Sequence, residues 1–167
     1  RRGFPARTVS FLQLEDSMSQ SGINPSNGES GSDGSGEIVL RHGDAETLKG
    51  FEATVFERLK NAGFDEGEIF SIRLAMEEAI ANGFRHGNEG DPAKSVTVAY
   101  DITGSGMSLS IEDQGTGFDP AAVPDPTEDA NLEIPSGRGL MLMRAYMTEV
   151  VVVPPGNRIE MRFDRQA

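Results

Sequence analysis

The 167-residue chain contains no cysteine, which excludes disulfides and thiolate metal sites outright. Histidine is scarce too. The two present, His42 and His86, have no matching carboxylate cluster and do not make a zinc site. No apolar run approaches the roughly 20 residues that a membrane-crossing helix needs, so no membrane association is expected. The opening Arg1-Arg2-Gly3-Phe4 lacks the apolar centre of a signal peptide. Without an initiator methionine it reads as a trimmed or incomplete start, and a cytoplasmic location is the expectation. Basic charge is also short: 15 Lys and Arg stand against 27 Asp and Glu, a formal net charge of −12. Such a surface repels phosphate backbones, which argues against direct DNA or RNA binding. It suits a basic protein partner, or an anionic ligand taken through local backbone groups.

What the chain does have is enough apolar residue, 37%, for one compact core, at a length that fits one domain plus extra chain. Residues 17–36 are mostly Ser, Gly, Asn, Asp and Pro, offer almost nothing to bury, and read as a flexible linker. Ahead of them, Phe4, Val9, Phe11, Leu12 and Leu14 could form a short docking segment, although composition favours an unstructured leader. Residues 1–36 are therefore read as a flexible N-terminal tail and 37–167 as the folded domain. No internal repeat is visible.

Within the domain, residues 37–41 read as a short strand. Asp44 caps a helix whose apolar residues Leu48, Phe51, Val55 and Leu59 step by three and four until Gly63. A second helix starts after Asp65, with Glu68 at the capping-box spacing. Its apolar face is Ile69, Ile72, Met76, Ala79 and Ile80, and it runs to about His86 before Gly87 stops it. Two alternating strands follow, Val96 to Ile102 and Met107 to Ile111, around a Gly-Ser-Gly turn. Residues 113–137 form a long loop rich in Gly and Pro. A third helix spans about 138–147, and 150–153 with 158–163 make a last hairpin around Pro154-Pro155-Gly156-Asn157. This order predicts an α+β two-layer sandwich, with helices on one face of a mostly antiparallel sheet.

Three segments carry chemistry. Glu78, Asn82 and His86 are spaced by four, so they share one helix face beside the apolar stripe. Taken one at a time, each could simply be solvated. Asp113-Gln114-Gly115-Thr116-Gly117 follows directly on an apolar strand. Its glycines permit a sharp turn and close ligand approach, and its Asp can accept a hydrogen bond from an exocyclic amine. Ser136-Gly137-Arg138-Gly139-Leu140 opens the third helix, where free N–H groups and the positive end of the helix dipole favour phosphate. Each of the last two is weak alone, because ordinary turns and helix starts look alike. Neither is a Walker A loop nor a Rossmann fingerprint.

Together and in this order, the three segments resemble the N box and the two glycine boxes of the GHKL ATPase superfamily. The match is closest to the anti-sigma-factor serine kinases of the RsbW and SpoIIAB kind, over residues 37–163. LAMEEAIANGFRHGN (74–88) is similar to the family's E-A-x-x-N-A-x-x-H-G segment, with Gly83 in place of the second alanine. The resemblance implies a Bergerat-type ATP-binding fold using ATP and Mg²⁺. By it, Glu78 stands at the catalytic carboxylate and Asn82 coordinates Mg²⁺. Asp113 reads the adenine amine, with Gly115 and Gly117 shaping the pocket floor. Gly137, Arg138 and Gly139 border the phosphates, His86 and Leu140 complete the nucleotide site, and residues 120–135 are the lid. Two departures stand out. Asn157 occupies the place where the family often has a threonine that helps hold the adenine end, and no Lys or Arg lies between Lys94 and Arg138 to grip the γ-phosphate.

The expected function is thus a serine/threonine protein kinase acting on a small anti-anti-sigma-like protein. It would also bind a sigma factor and switch partners with the nucleotide, and the family is compatible with a homodimer. The alternative is a nucleotide-dependent binding module without kinase activity. The catalytic half of a histidine kinase fits poorly, since residues 1–36 hold no histidine and no dimerising helices. His42 reads as a surface residue and Glu77, a quarter-turn from Glu78, as solvated. Met141, Leu142, Met143 and Met147 read as core or dimer-interface packing.

Overall fold

The computed structural model describes residues 34–119 and 138–166. Five strands are present: β1 (Ser35–Arg41), β2 (Ser95–Thr103), β3 (Gly106–Asp113), β4 (Glu149–Val153) and β5 (Arg158–Asp164). Three helices accompany them: α1 (Ala45–Asn61), α2 (Glu66–Asn82) and α3 (Arg138–Tyr146). The strands form one sheet in the order β1-β2-β3-β5-β4, with every neighbour antiparallel. The α+β two-layer fold expected from the sequence is the fold observed.

Local chemistry accounts for the helix ends. The Asp44 carboxylate accepts the Thr47 N–H at 3.1 Å and its hydroxyl at 2.6 Å, satisfying a donor that α1 leaves free. The helix stops at Ala62, and Gly63 turns the chain at φ 87°. At α2 the capping box is complete: Glu68 N–H donates to Asp65 at 2.8 Å, and Asp65 N–H donates back to Glu68 at 2.8 Å.

Period and burial agree. From α1, Phe51, Val55, Phe56 and Leu59 point inward; from α2, Ile69, Ile72, Ala75, Met76, Ala79 and Ile80 do so. They meet Val96, Val98, Tyr100 and Ile102 of β2, and Met107, Leu109 and Ile111 of β3. Each Val, Leu, Ile, Phe or Met side chain among them contributes about 1.5–3 kcal/mol by leaving water. Met143 and Met147 join this core, Leu142 is half-buried, and Met141 is exposed.

Two boundaries differ from the sequence pattern. β1 opens at Ser35 because Ser35 and Gly36 pair with Asp101 and Tyr100, a tertiary ladder that their own composition does not announce. Gly36 also leaves room for the tyrosine, since a Cβ there would stand 2.7 Å from the Tyr100 hydroxyl. The second helix, expected to stay regular to His86, changes pitch after Asn82. Gly83–Gly87 form a π-helical turn closed by Asn88 N–H donating to the Gly83 carbonyl at 2.7 Å.

One cation ties the far end of the sheet to the helical layer. Arg165 donates to both carboxylate oxygens of Glu68 at 3.2 Å, to the Gly63 carbonyl at 2.6 Å and to the Gly104 carbonyl at 3.1 Å. Its guanidinium lies 4.8 Å from the centre of the Phe64 ring. At the opposite end of β3, the end of α2, the start of α3 and the β4–β5 turn converge. That convergence makes the site.

Candidate functional site

A cavity of about 310 Å³ opens where these four pieces meet, within the range of small-ligand pockets. Its floor is apolar, from Ala79, Ile111 and Ile159. Asn82, His86, Glu89, Asp113 and Thr116 give it polar side chains, and glycines 83, 87, 117, 139 and 156 line it together with Phe118 and Leu140. An apolar floor bordered by the Asp113 carboxylate suits an amine-bearing ring, and bare backbone around it admits close contact.

Asp113 sits at the last position of β3. Its Oδ1 accepts the Gly115 N–H at 2.8 Å, an Asx-type turn that bends the chain away from the strand. The carboxylate lies against Gly87, where any Cβ would overlap it. Burial pushes the Asp113 carboxyl above its ordinary value, opposed in part by the Gly115 N–H that favours the charged form.

Within that lining, Asn82 Nδ2 donates to Glu78 Oε1 at 3.1 Å, one helical turn away. Using the amide nitrogen on Glu78 leaves Asn82 Oδ1 as an oxygen acceptor, the donor type a magnesium ion takes. Gly139, in the first turn of α3, closes over this pair. A Cβ there would overlap Glu78 Oε1 and stand 2.6 Å from Asn82 Nδ2. The Glu78–Asn82 pair can therefore keep this arrangement beneath α3 because position 139 has no side chain.

Six of the residues singled out in the sequence, Asn82, His86, Asp113, Gly117, Gly139 and Leu140, line the one cavity. Glu78 stands beside it through Asn82 and Gly139. Gly115 has a different task from floor lining. It is pressed against the Gly87 carbonyl, so it lets the β3 exit pack on the π-helical turn. Arg138 opens α3 and is exposed. Gly137 and the expected lid at 120–135 lie outside the described residues. His42 is exposed, its ring edge-on to Phe84 at 6.0 Å. Among the described residues no group of three or more acidic or histidine side chains forms a metal cage.

Two asparagines do more than the sequence reveals. Asn88 is fully buried at 0% exposure, and its amide bridges Ser95 and Gln114. Asn157 turns its side chain to the Asp113 main chain at 3.0 Å and is absent from the cavity wall. Asn88 ends the segment that resembles the N box, but nothing in the sequence pairs it with Gln114, 26 residues away. Gly83, at the position where the family has alanine, is buried, and a Cβ there would stand 3.1 Å from Val96 Cγ2.

The order of the elements, with three boxes meeting at one end of the central strands, is that of a GHKL-type two-layer fold. The chain belongs to the histidine kinase-like ATPase domain family, whose sequence profile matches residues 43–163. It is similar to a "Serine-protein kinase RsbW" of Listeria monocytogenes serovar 1/2a, 32% identical over 95 residues, covering 53% of this chain and 60% of the relative. An "Anti-sigma F factor" of Bacillus cytotoxicus is 33% identical over 89 residues, covering 52% and 60%. Another from Anoxybacillus flavithermus is 33% identical over 100 residues, covering 56% and 68%. The chain thus spans about three-fifths of the length of the first two relatives. No helix among the described residues is long and apolar enough to cross a membrane.

Proposed function

We propose that this domain binds ATP with Mg²⁺ in the cleft and phosphorylates a serine or threonine of a small regulatory protein, of the anti-anti-sigma type. The observation that carries the reading is the pairing of Glu78 with Asn82 beneath Gly139, at a cavity that Asp113 also lines. Adenine would lie on the apolar floor with its amine on Asp113, and the phosphates would run toward Asn82 and the start of α3. Bound Mg²⁺, held by Asn82 Oδ1 and the phosphates, would supply charge neutralisation to the transferring group.

Glu78 then takes the proton of the partner's hydroxyl as that oxygen bonds to the γ-phosphorus. The bond from that phosphorus to the bridging oxygen breaks, and ADP leaves. Asn82 orients Glu78 by donating to one of its oxygens, leaving the other for the hydroxyl.

The names of the relatives support a protein substrate and a sigma factor as partners. Binding of one partner or the other would follow from ATP or ADP in the cleft, with a homodimer as the working unit. Direct nucleic-acid binding is opposed by the net charge of −12.

Glu78→Ala should lower phosphotransfer by roughly a hundredfold or more, the scale of a lost general base, with ATP affinity retained. Unchanged transfer would remove Glu78 from the mechanism. Calorimetric titration of ATP into wild type and Asp113→Ala tests the cleft itself. Weaker binding by the variant supports the adenine assignment; equal binding in both rejects it.

A further inference from the structure

At the end of β3 the sheet's main-chain ladder stops, and side chains take over on both flanks. Toward β5, Asp113 N–H donates to the Asn157 carbonyl at 2.9 Å. The return bond to the Asp113 carbonyl comes from the Asn157 side-chain Nδ2 at 3.0 Å, in place of a backbone N–H. Toward β2, the pair Val96 and Asp113 is the last in register. Beyond it the Asn88 amide is inserted between the strands. Its Oδ1 accepts the Gln114 N–H at 2.8 Å and its Nδ2 donates to the Ser95 carbonyl at 2.9 Å. The Gln114 side chain completes the splice by accepting the Ser95 N–H at 2.8 Å.

The single peptide unit joining Asp113 to Gln114 is therefore held at its oxygen by Asn157 and at its N–H by Asn88. These two amides come from turns on opposite sides of the strand. With the Asp113 N–H also engaged and Oδ1 on Gly115, little rotational freedom remains to the carboxylate. Glycines place the clamp: Gly156 (φ 107°) and Gly117 (φ 81°) are interlocked so closely that a Cβ at Gly117 would stand 2.9 Å from Asn157 N. Neither Asn88 nor Asn157 lines the cavity.

We infer that Asn88 and Asn157 are positioning residues that aim the Asp113 carboxylate at the base, so two amides that never touch the ligand set the cleft's selectivity for a 6-amino purine. The inference rests on the proposed reading of Asp113 as the acceptor for the adenine amine. An acceptor displaced from a charge-assisted hydrogen bond loses most of its discrimination even when the pocket around it keeps its shape.

The experiment compares ADP with purine riboside 5′-diphosphate, which carries hydrogen in place of the amine, by calorimetry on the 167-residue wild-type chain and Asn157→Ala. Asn157 is half-buried on a turn, so its truncation spares the core. The variant should bind ADP about tenfold more weakly, the scale of one weakened charge-assisted hydrogen bond, and purine riboside diphosphate within twofold of wild type. Asn88→Ala should move the same preference in the same direction. In an Asp113→Ala background, Asn157→Ala should cause no further loss, because the two act through one contact. Equal weakening of both ligands, no weakening of either, or a full additional loss in the double variant would overturn the clamp. Wild type that binds both ligands equally would instead overturn the assignment of Asp113, and the clamp with it.

Discussion

Asp113 carries an unfavourable environment for the sake of its position. Taking a carboxylate partly out of water disfavours the charged form, and the single Gly115 N–H offsets that only in part, so its pKa rises above the ordinary 3.8. The folded protein holds that proton more tightly than the unfolded chain does. This preference for the protonated form favours folding at acid pH and is lost as pH rises through the raised folded pKa. Asp113→Asn, which keeps an oxygen for Gly115 and removes the charge, should melt at a higher temperature than wild type at pH 7. The advantage should shrink as pH falls through the raised value toward 3.8, and nucleotide binding should weaken at every pH. Thermal melts at pH 7 and pH 4 check this; a difference independent of pH would show that the charge is not the cause. Stability given up at a functional acid is a common trade.

The first turn of α3 makes a related point about an element. Alanine is a better helix former than glycine by about 1 kcal/mol, so Gly139 weakens the helix it begins. Its absent side chain is what allows Glu78 and Asn82 to pass beneath. Gly139→Ala meets only the far ends of those two side chains, which can swing aside at little energetic cost. The fold should hold within a few degrees of wild type, while phosphotransfer falls at least tenfold because the Glu78–Asn82 hydrogen bond is displaced. Melting curves and transfer rates on the same preparation separate the two effects, and transfer at the wild-type rate would refute the role given to Gly139. The π-helical turn at Gly83–Gly87 works alongside it. By widening one turn it sets Gly87 against the Asp113 carboxylate and still brings His86 to the cavity.

Among the described residues, the proposed binding cleft and the Arg165 cluster lie at opposite ends of β3. That strand rises by about 3.3 Å per residue, which puts its two ends roughly 25 Å apart. Arg165 secures the distal end by joining the chain after β5 to the α1–α2 turn and the β2–β3 turn. Arg165→Ala leaves the Glu68 carboxylate and the Ala62, Gly63 and Gly104 carbonyls without this partner, and should cost about 1–3 kcal/mol of folding free energy. Nucleotide affinity should be unchanged. Urea unfolding with a parallel ATP titration tests both halves, and a lost affinity would mean that the two ends are coupled.

The sequence by itself determined the order of the elements, the caps at Asp44 and Asp65, the inward faces of α1 and α2, and the alternation of β2 and β3. It also picked out Asn82, Asp113 and Gly139, which now share one cavity. Those signals are local: a cap acts over three residues, a helix face over four, a strand face over two. Only the tertiary structure decided where β1 begins, since Ser35 and Gly36 are strand residues through their pairing with Asp101 and Tyr100. It alone decided that Gly115 packs on Gly87 and that the regular helix gives way after Asn82. It alone brought Asn88 to Gln114 across 26 residues and Asn157 to Asp113 across 44. An amide hydrogen bond is indifferent to sequence distance, so the groups that hold the site in place become visible only when folding has closed those loops.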